Sequence, residues 1–574
     1  MVSKSPAPLL TRRTVLAGSV LAGLGATSFL AACGANERQG SSSGQGSSSA
    51  PAKGGTLTVL VSSTATNFDP AKSQSLAITS LGLVHRRLTA WKVESGKPAQ
   101  LVPDLATDVG STSDDGTTWT FTLKDGLTFS DGSPIRAADV KWGLERSFAA
   151  SFSGGLTYHK DLLAGAAGYA GPFEGAHLDS IAAPDDKTLV FTLARPYGDW
   201  GWVASTPAFA PVPEGKGAEA DYGLKPVSSG PYVLSTVQQG VKLELTRNEH
   251  WDAKTDDVRP ALPDTVVFSL GQATDVVSQR LAADSAADQS AFGAGFVSPA
   301  QLVQVANNPA AKDRLVTSQS GALAFLSLNT RRGALQDAGV RKAFQYAVDK
   351  SAFQVATAGT AALAGEIATT LITDGIAGRE EFDLYPTEKT GDPAKAKELL
   401  AQAGHPDGLS GLTLLVSQSN NGPAQAQAIQ ASLAKAGITV TLQVLDEDAY
   451  YAAINTVNAQ EYDLALASWQ PDFPSANANL QPLFATSAIG DGGYNSARYS
   501  NPAVDAAIAT AQATVDTDAA AKAWVAVDKA VMADSPVVPL IYTRNSFLRG
   551  SKVTNFFIGA FPAYPNYLAV GVSS

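Results

Sequence analysis

Apolar residues recur in this chain with two periods. Trp119-Thr120-Phe121-Thr122-Leu123 alternates apolar and polar positions, which predicts a half-buried strand, and Lys124-Asp125-Gly126 turns it. Leu189-Val190-Phe191-Thr192-Leu193, bounded by Asp185-Asp186 and Arg195-Pro196, predicts another strand. Lys242-Leu243-Glu244-Leu245 and Thr265-Val266-Val267-Phe268 predict two more, and Thr56 to Val61 predicts a buried one that opens the fold. The helical period appears between them. Leu81, Val84 and Leu88 predict a helix over 76–88. Ser133-Pro134 predicts the start of a helix that buries Val140, Leu144 and Phe148. Positions 340–353 predict one amphipathic helix. Asp392-Pro393 caps a helix over 394–403, which Gly404 ends. Leu412 to Val416, a helix through Ile429 and Leu433, and Ile438 to Val444 make a β-α-β passage. Such alternation predicts mixed α/β domains.

One stretch organises the rest: Tyr462-Asp463-Leu464-Ala465-Leu466-Ala467-Ser468-Trp469-Gln470-Pro471-Asp472-Phe473-Pro474. Leu464 to Ala467 predicts a buried strand. Pro471 and Pro474 cannot donate to a ladder and end it. Trp469 and Asp472 are thereby predicted just past its carboxyl end, where α/β sheets bind ligands. An aromatic wall beside one carboxylate suits an apolar ligand with a cationic end. A core tryptophan and a turn-forming aspartate are the alternative.

Composition narrows the chemistry. A chain of 574 residues exceeds one core and predicts two or three domains. A net charge of −11 argues against a nucleic-acid partner, because phosphate binding needs a basic surface. The single cysteine, Cys33, allows no internal disulfide. The five histidines are scattered without metal-ligand spacing, so no metal or other cofactor is expected. No phosphate-binding loop, nucleophile elbow or kinase set occurs, and no enzymatic activity is expected.

The first 54 residues read as an address. Lys4, Arg12 and Arg13 precede an apolar, Gly- and Ala-rich run over 15–32, as in an export signal. Thr11-Arg12-Arg13-Thr14-Val15-Leu16 resembles a twin-arginine signal. Leu30-Ala31-Ala32-Cys33 resembles the bacterial lipobox, with the chain's only cysteine at the cleavage position, so Cys33 is the expected lipidation site. Positions 34–55 are rich in Ser, Gly, Gln and Ala and predict a flexible tether. Some 20 such residues reach about 25 Å.

Several blocks then stand in a fixed order. Leu101-Val102-Pro103-Asp104-Leu105-Ala106 precedes Asp115 to Gly126. Phe129-Ser130-Asp131-Gly132-Ser133-Pro134 and Ala138-Asp139-Val140 follow. Next come Ser229-Gly230-Pro231-Tyr232, Arg247-Asn248-Glu249-His250-Trp251, Val340-Arg341-Lys342-Ala343-Phe344, Val348-Asp349-Lys350 and Ala396 to Gly404. From about Gly55 to Tyr567 this set resembles the extracytoplasmic solute-binding proteins of peptide ABC transporters, the oligopeptide- and dipeptide-binding family. The resemblance implies a type II periplasmic-binding-protein fold: two α/β lobes that clasp the ligand about a hinge, plus an extra third lobe. It places the first lobe at 55–82, 223–320 and 540–574, the second at 83–222 and the third at 321–539. It implies a monomer that takes oligopeptides or dipeptides to permease subunits from a lipid anchor on the outer face of the cytoplasmic membrane.

In peptide binders of this family, the aspartate three residues after the tryptophan of this segment pairs with the peptide's α-ammonium. Trp469 and Asp472 hold that spacing. The resemblance further implies that the backbone of Ala467, Ser468 and Trp469 pairs with the peptide, that Gln74 and Ser75 form the opposite wall, and that Tyr158 closes over the ligand. Two departures stand out. Ser475 and Ala476 replace an acid and a proline often found there, and nothing matches the basic residues that fix peptide length. A non-peptide solute (an oligosaccharide, an opine or a metal chelate), a secreted hydrolase and a sensory lipoprotein are the competing functions.

Overall fold

The computed structural model describes residues 53–573 except 114, 153, 320, 419–420, 456–461 and 491–492. The signal, the lipobox with Cys33 and most of the tether lie outside the described residues. The described chain is built on three principal sheets.

In the first sheet, Thr56–Leu60 lies between Ala291–Gly293 and Thr265–Ser269, parallel to both. Lys242–Arg247 and Tyr232–Gln238 continue it antiparallel. The register sets Leu57 opposite Val266 and Val59 opposite Phe268, and all four are buried. The period of two thus becomes one apolar face.

The second sheet is antiparallel, in the order Ser111–Thr112, Thr118–Thr122, Thr188–Thr192, Ile181–Ala182. Trp119 faces Phe191 and Phe121 faces Leu189, so the alternating segments pair with their apolar sides in register. Helix Ala137–Arg146 buries Val140 and Leu144 in the same core.

The third sheet is mixed, in the order Gly365–Ile367, Val537–Thr543, Leu323–Leu328, Leu464–Trp469, Leu409–Ser417, Ile438–Leu445. Its centre is covered on both faces. Leu323 and Phe325 enter one core with helices Ala476–Phe484, Pro502–Ala513 and Thr517–Asp534. Ala324, Leu326 and Leu328 enter the other with helices Ala338–Ala347, Pro393–Gln402 and Gly422–Lys435. Double burial explains why the central strands are continuous apolar runs. Leu409–Ser417 and Ile438–Leu445 are the parallel pair of the β-α-β passage.

Four details differ from the sequence reading. Positions 76–88 carry only one helical turn, Leu81–Val84. The backbone that would continue it is used in tertiary pairing: Val84 O accepts from Ser229 N and Gly230 N, Arg87 O from Leu105 N, and Leu88 O from Asp104 N and Ala106 N. The helix expected from Ser133 starts at Ala137. Asp131 accepts from the amide and hydroxyl of Ser133 and holds a turn there, while Asp139 closes the helix start by accepting from Arg136 N. Positions 340–353 form the ends of two helices, because Asp349 accepts from Ala352 N and caps a new one, Lys350–Ala358. Finally, Trp469 is the last residue of its strand and not beyond it.

Candidate ligand-binding site

Strand Leu464–Trp469 pairs antiparallel with Leu323–Leu328 along its whole length, Trp469 opposite Leu323. On its other side, parallel pairing with Leu409–Ser417 stops at Ala465. Ala467 and Ser468 therefore present a backbone edge with no strand across from it among the described residues. The Trp469 ring is buried, donates from Nε1 to Ala478 O at 2.7 Å and lies 5.3 Å from the Tyr494 ring. Both bonds and packing fix it as a wall.

The loop after it carries Asp472, half-buried between the buried Pro471 and Phe473. Ser475 then caps helix Ala476–Phe484 by accepting from Asn477 N. Residues from the second sheet's layer meet this loop. The Tyr158 hydroxyl donates to Asp472 Oδ2 at 2.8 Å, and the Tyr158 ring packs edge-on against Phe473 at 5.1 Å. Ser475 Oγ donates to Asp199 Oδ2 at 2.6 Å, Asn477 Nδ2 to the Tyr197 hydroxyl at 2.7 Å, and Gly198 N to Gln512 O at 2.7 Å. Burial pushes the Asp199 carboxyl up, against the pull of the Ser475 and Asn477 donors. The serine that departs from the family pattern is thus a donor to a half-buried acid.

Between these surfaces lies a cavity of about 700 Å³, a size that suits a small organic ligand. Gln74, Tyr158, Ser468, Trp469 and Asp472 line it. Ser75 does not: its amide donates to Ser73 Oγ and its carbonyl accepts from Arg87. Ala467 lines instead an adjoining recess of about 80 Å³, shared with Ser468, Trp469, Phe325, Tyr450 and Tyr494. Sequence reasoning did not single out the charged residues Lys160, Asp161 and Arg195 of the large cavity. They come from segments that only the tertiary fold brings to Asp472, and no local pattern marks them. Burial lowers the Lys160 ammonium and raises the Asp161 carboxyl, the latter opposed by Arg195 and Lys160. One wall therefore offers a carboxylate beside aromatics, and the facing wall offers both signs of charge. That arrangement can hold a zwitterion.

Among the described residues, no group of three or more His, Cys, Asp or Glu is placed to hold a metal ion, and no helix is long and apolar enough to cross a membrane.

Comparison with known proteins gives a consistent set. Residues 100–491 match the family described as bacterial extracellular solute-binding proteins, family 5 Middle. The glutathione-binding protein GsiB of Salmonella paratyphi A is 28% identical over 454 residues, covering 78% of this chain and 81% of its own. GsiB of Escherichia coli O157:H7 is 28% identical over 457 residues, with the same coverage. Among solved structures, clavulanic acid biosynthesis oligopeptide binding protein 2 superposes with a TM-score of 0.84 at 31% identity, covering 92% of this chain and 96% of that one. The oligopeptide-binding protein AppA of Bacillus subtilis, in complex with a nonapeptide, has a TM-score of 0.65 at 20% identity, covering 92% of this chain and all of that one. At that identity the likeness is one of fold.

Proposed function

We infer, from a chain that belongs to the bacterial extracellular solute-binding proteins of family 5, that it captures short peptides outside the cytoplasmic membrane and hands them to an ABC importer. Its relatives are named as binding proteins for glutathione and oligopeptides. The observation that carries the peptide reading is the Asp472 carboxylate, set on the wall of a cavity of about 700 Å³ beside Trp469 and a strand edge at Ala467 and Ser468. An extended peptide can add to such an edge through its backbone, with its amino end on the carboxylate.

The division into lobes follows the sheets. The first lobe takes the five-stranded sheet, the second the four-stranded one. The third is drawn through Thr543, because Val537–Thr543 pairs within the six-stranded sheet. The first two lobes are held together by buried ion pairs. Arg259 Nη2 of the first lobe grips Asp104 of the second at 2.7 Å, and Arg146 Nη1 of the second grips Asp69 of the first at 2.7 Å. The second and third meet through the side-chain bonds at the cavity rim. Closure is then a movement of the third lobe against the other two, with ligand contacts to both sides stabilising the shut form.

A lipid on Cys33, exported through the twin-arginine-like signal and followed by the tether, would keep this monomeric receptor within reach of the permease. Native mass spectrometry of protein purified from its host tests the reading: a co-purifying mass that fragments as a peptide is expected, and a sugar or a metal chelate would overturn it.

A further inference from the structure

We propose that Gly198 and Asp199 form a latch between the second and third lobes, and that this latch sets how tightly the protein captures its ligand without touching it. The proposal rests on the lobe division and the closure described above. Neither residue lines the large cavity. Both are positioning residues, which act through the fraction of the protein that is shut.

The two residues meet two helix ends of the third lobe. An α-helix leaves its last carbonyls and its first amides without partners inside the helix. Gln512, in the last turn of Pro502–Ala513, has such a carbonyl, and it accepts from Gly198 N at 2.7 Å. Ser475 caps the start of Ala476–Phe484, and its hydroxyl donates to Asp199 Oδ2 at 2.6 Å. The Asp199 carboxylate thus stands at a helix N-terminus, where the helix dipole favours a negative charge. One dipeptide therefore offers a donor to the C-terminus of one helix and an acceptor to the N-terminus of another. Gln512 Nε2 donates to Asn477 Oδ1 at 3.2 Å and ties the two helices together.

The seam, and not the second lobe, requires glycine at 198. Its φ lies outside the left-handed region, so alanine adds no backbone strain of that kind. A Cβ there would lie 2.2 Å from Thr514 O and 3.0 Å from Thr514 C, with the Val515 Cα next. All three are backbone atoms of the third lobe. Alanine at 198 is thus a wedge in the shut seam and meets nothing once the seam opens. Apparent affinity falls with the fraction of protein in the binding-competent state.

Two readings are taken on wild type, Gly198→Ala and Asp199→Ala. One is titration calorimetry with the peptide recovered from the native protein. The other is amide hydrogen exchange, in protein stripped of that peptide, at residue 198 and in helix Ala137–Arg146. Gly198→Ala should bind about ten- to a hundredfold more weakly, through loss of the hydrogen bonds of the seam. Its residue-198 amide should exchange faster by a similar factor, while the helix inside the second lobe keeps wild-type protection. Asp199→Ala removes an acceptor and adds no bulk, and should move both readings the same way by less. Wild-type affinity in Gly198→Ala, or weaker binding with residue 198 as protected as in wild type, overturns the latch. Loss of protection in the helix as well marks misfolding of that variant, and Asp199→Ala then decides on the same two readings. A native protein that yields no peptide overturns the capture reading, and exchange at residue 198 still decides the latch.

Discussion

The hydroxyl of Tyr158 donates to Asp472 Oδ2 at 2.8 Å, linking residues 314 positions apart in the chain. The two come from different sheets' layers, so this bond exists only when those layers face each other across the cavity. It also supplies a neutral donor to a carboxylate that retains room for a second partner. Tyr158→Phe removes the donor and keeps the ring on Phe473. Peptide capture should weaken by about 1 kcal/mol, roughly fivefold. Titration calorimetry with the peptide recovered from the native protein checks this; unchanged or tighter binding contradicts it.

A different acid sets a pH dependence. Asp528 is 1% exposed, and burial pushes its carboxyl up to about 6, against the Leu371 and Ile372 amides that donate to it. In the unfolded chain it titrates near the ordinary aspartate value of 3.8. As pH rises from that value, the unfolded chain releases its proton first and the native state loses ground. The loss grows until about pH 6 and is constant above it. Its order is about 3 kcal/mol. Asp528→Asn cannot ionise, so its stability relative to wild type should rise by about that amount between pH 4 and pH 7.5. Urea unfolding at the two pH values measures it, and a difference independent of pH would refute the assignment.

The membrane anchor is tested at one residue. Cys33→Ala should move the protein from the membrane fraction to the medium or periplasmic fluid. Retention of the variant in washed membranes sinks the anchor. The arginine pair is tested separately, since Arg12→Lys with Arg13→Lys should block export only if the twin-arginine route is used.

Much of the architecture was legible because local signals and packing agree. The apolar run from Leu464 stops where Pro471 and Pro474 forbid pairing, and the strand runs Leu464–Trp469. Asp392 before Pro393 caps its helix by accepting from Lys395 N. The signal failed where the backbone had a better partner elsewhere: helical spacing at Leu81, Val84 and Leu88 lost to pairing with segments near Asp104 and Ser229. It failed too at Val348-Asp349, where an apolar period runs across a cap. At the site, Trp469 and Asp472 were visible as a motif. Arg195, Lys160 and Asp161 were not, because each is an ordinary charged residue until Tyr158 and Tyr197 are brought against the loop after Trp469. Ser475 read only as a departure from a pattern, and its bond to the half-buried Asp199 gives that departure a physical role.

The central claim is that the carboxylate of Asp472 holds the ligand's amino end. The most direct measurement is titration calorimetry of the recovered peptide and its N-acetylated form into wild type and Asp472→Ala. Acetylation and the substitution should each cost about 2–5 kcal/mol, roughly 30- to several-thousand-fold, and together little more than either alone. Equal affinity of Asp472→Ala and wild type for the free-amine peptide would contradict the account.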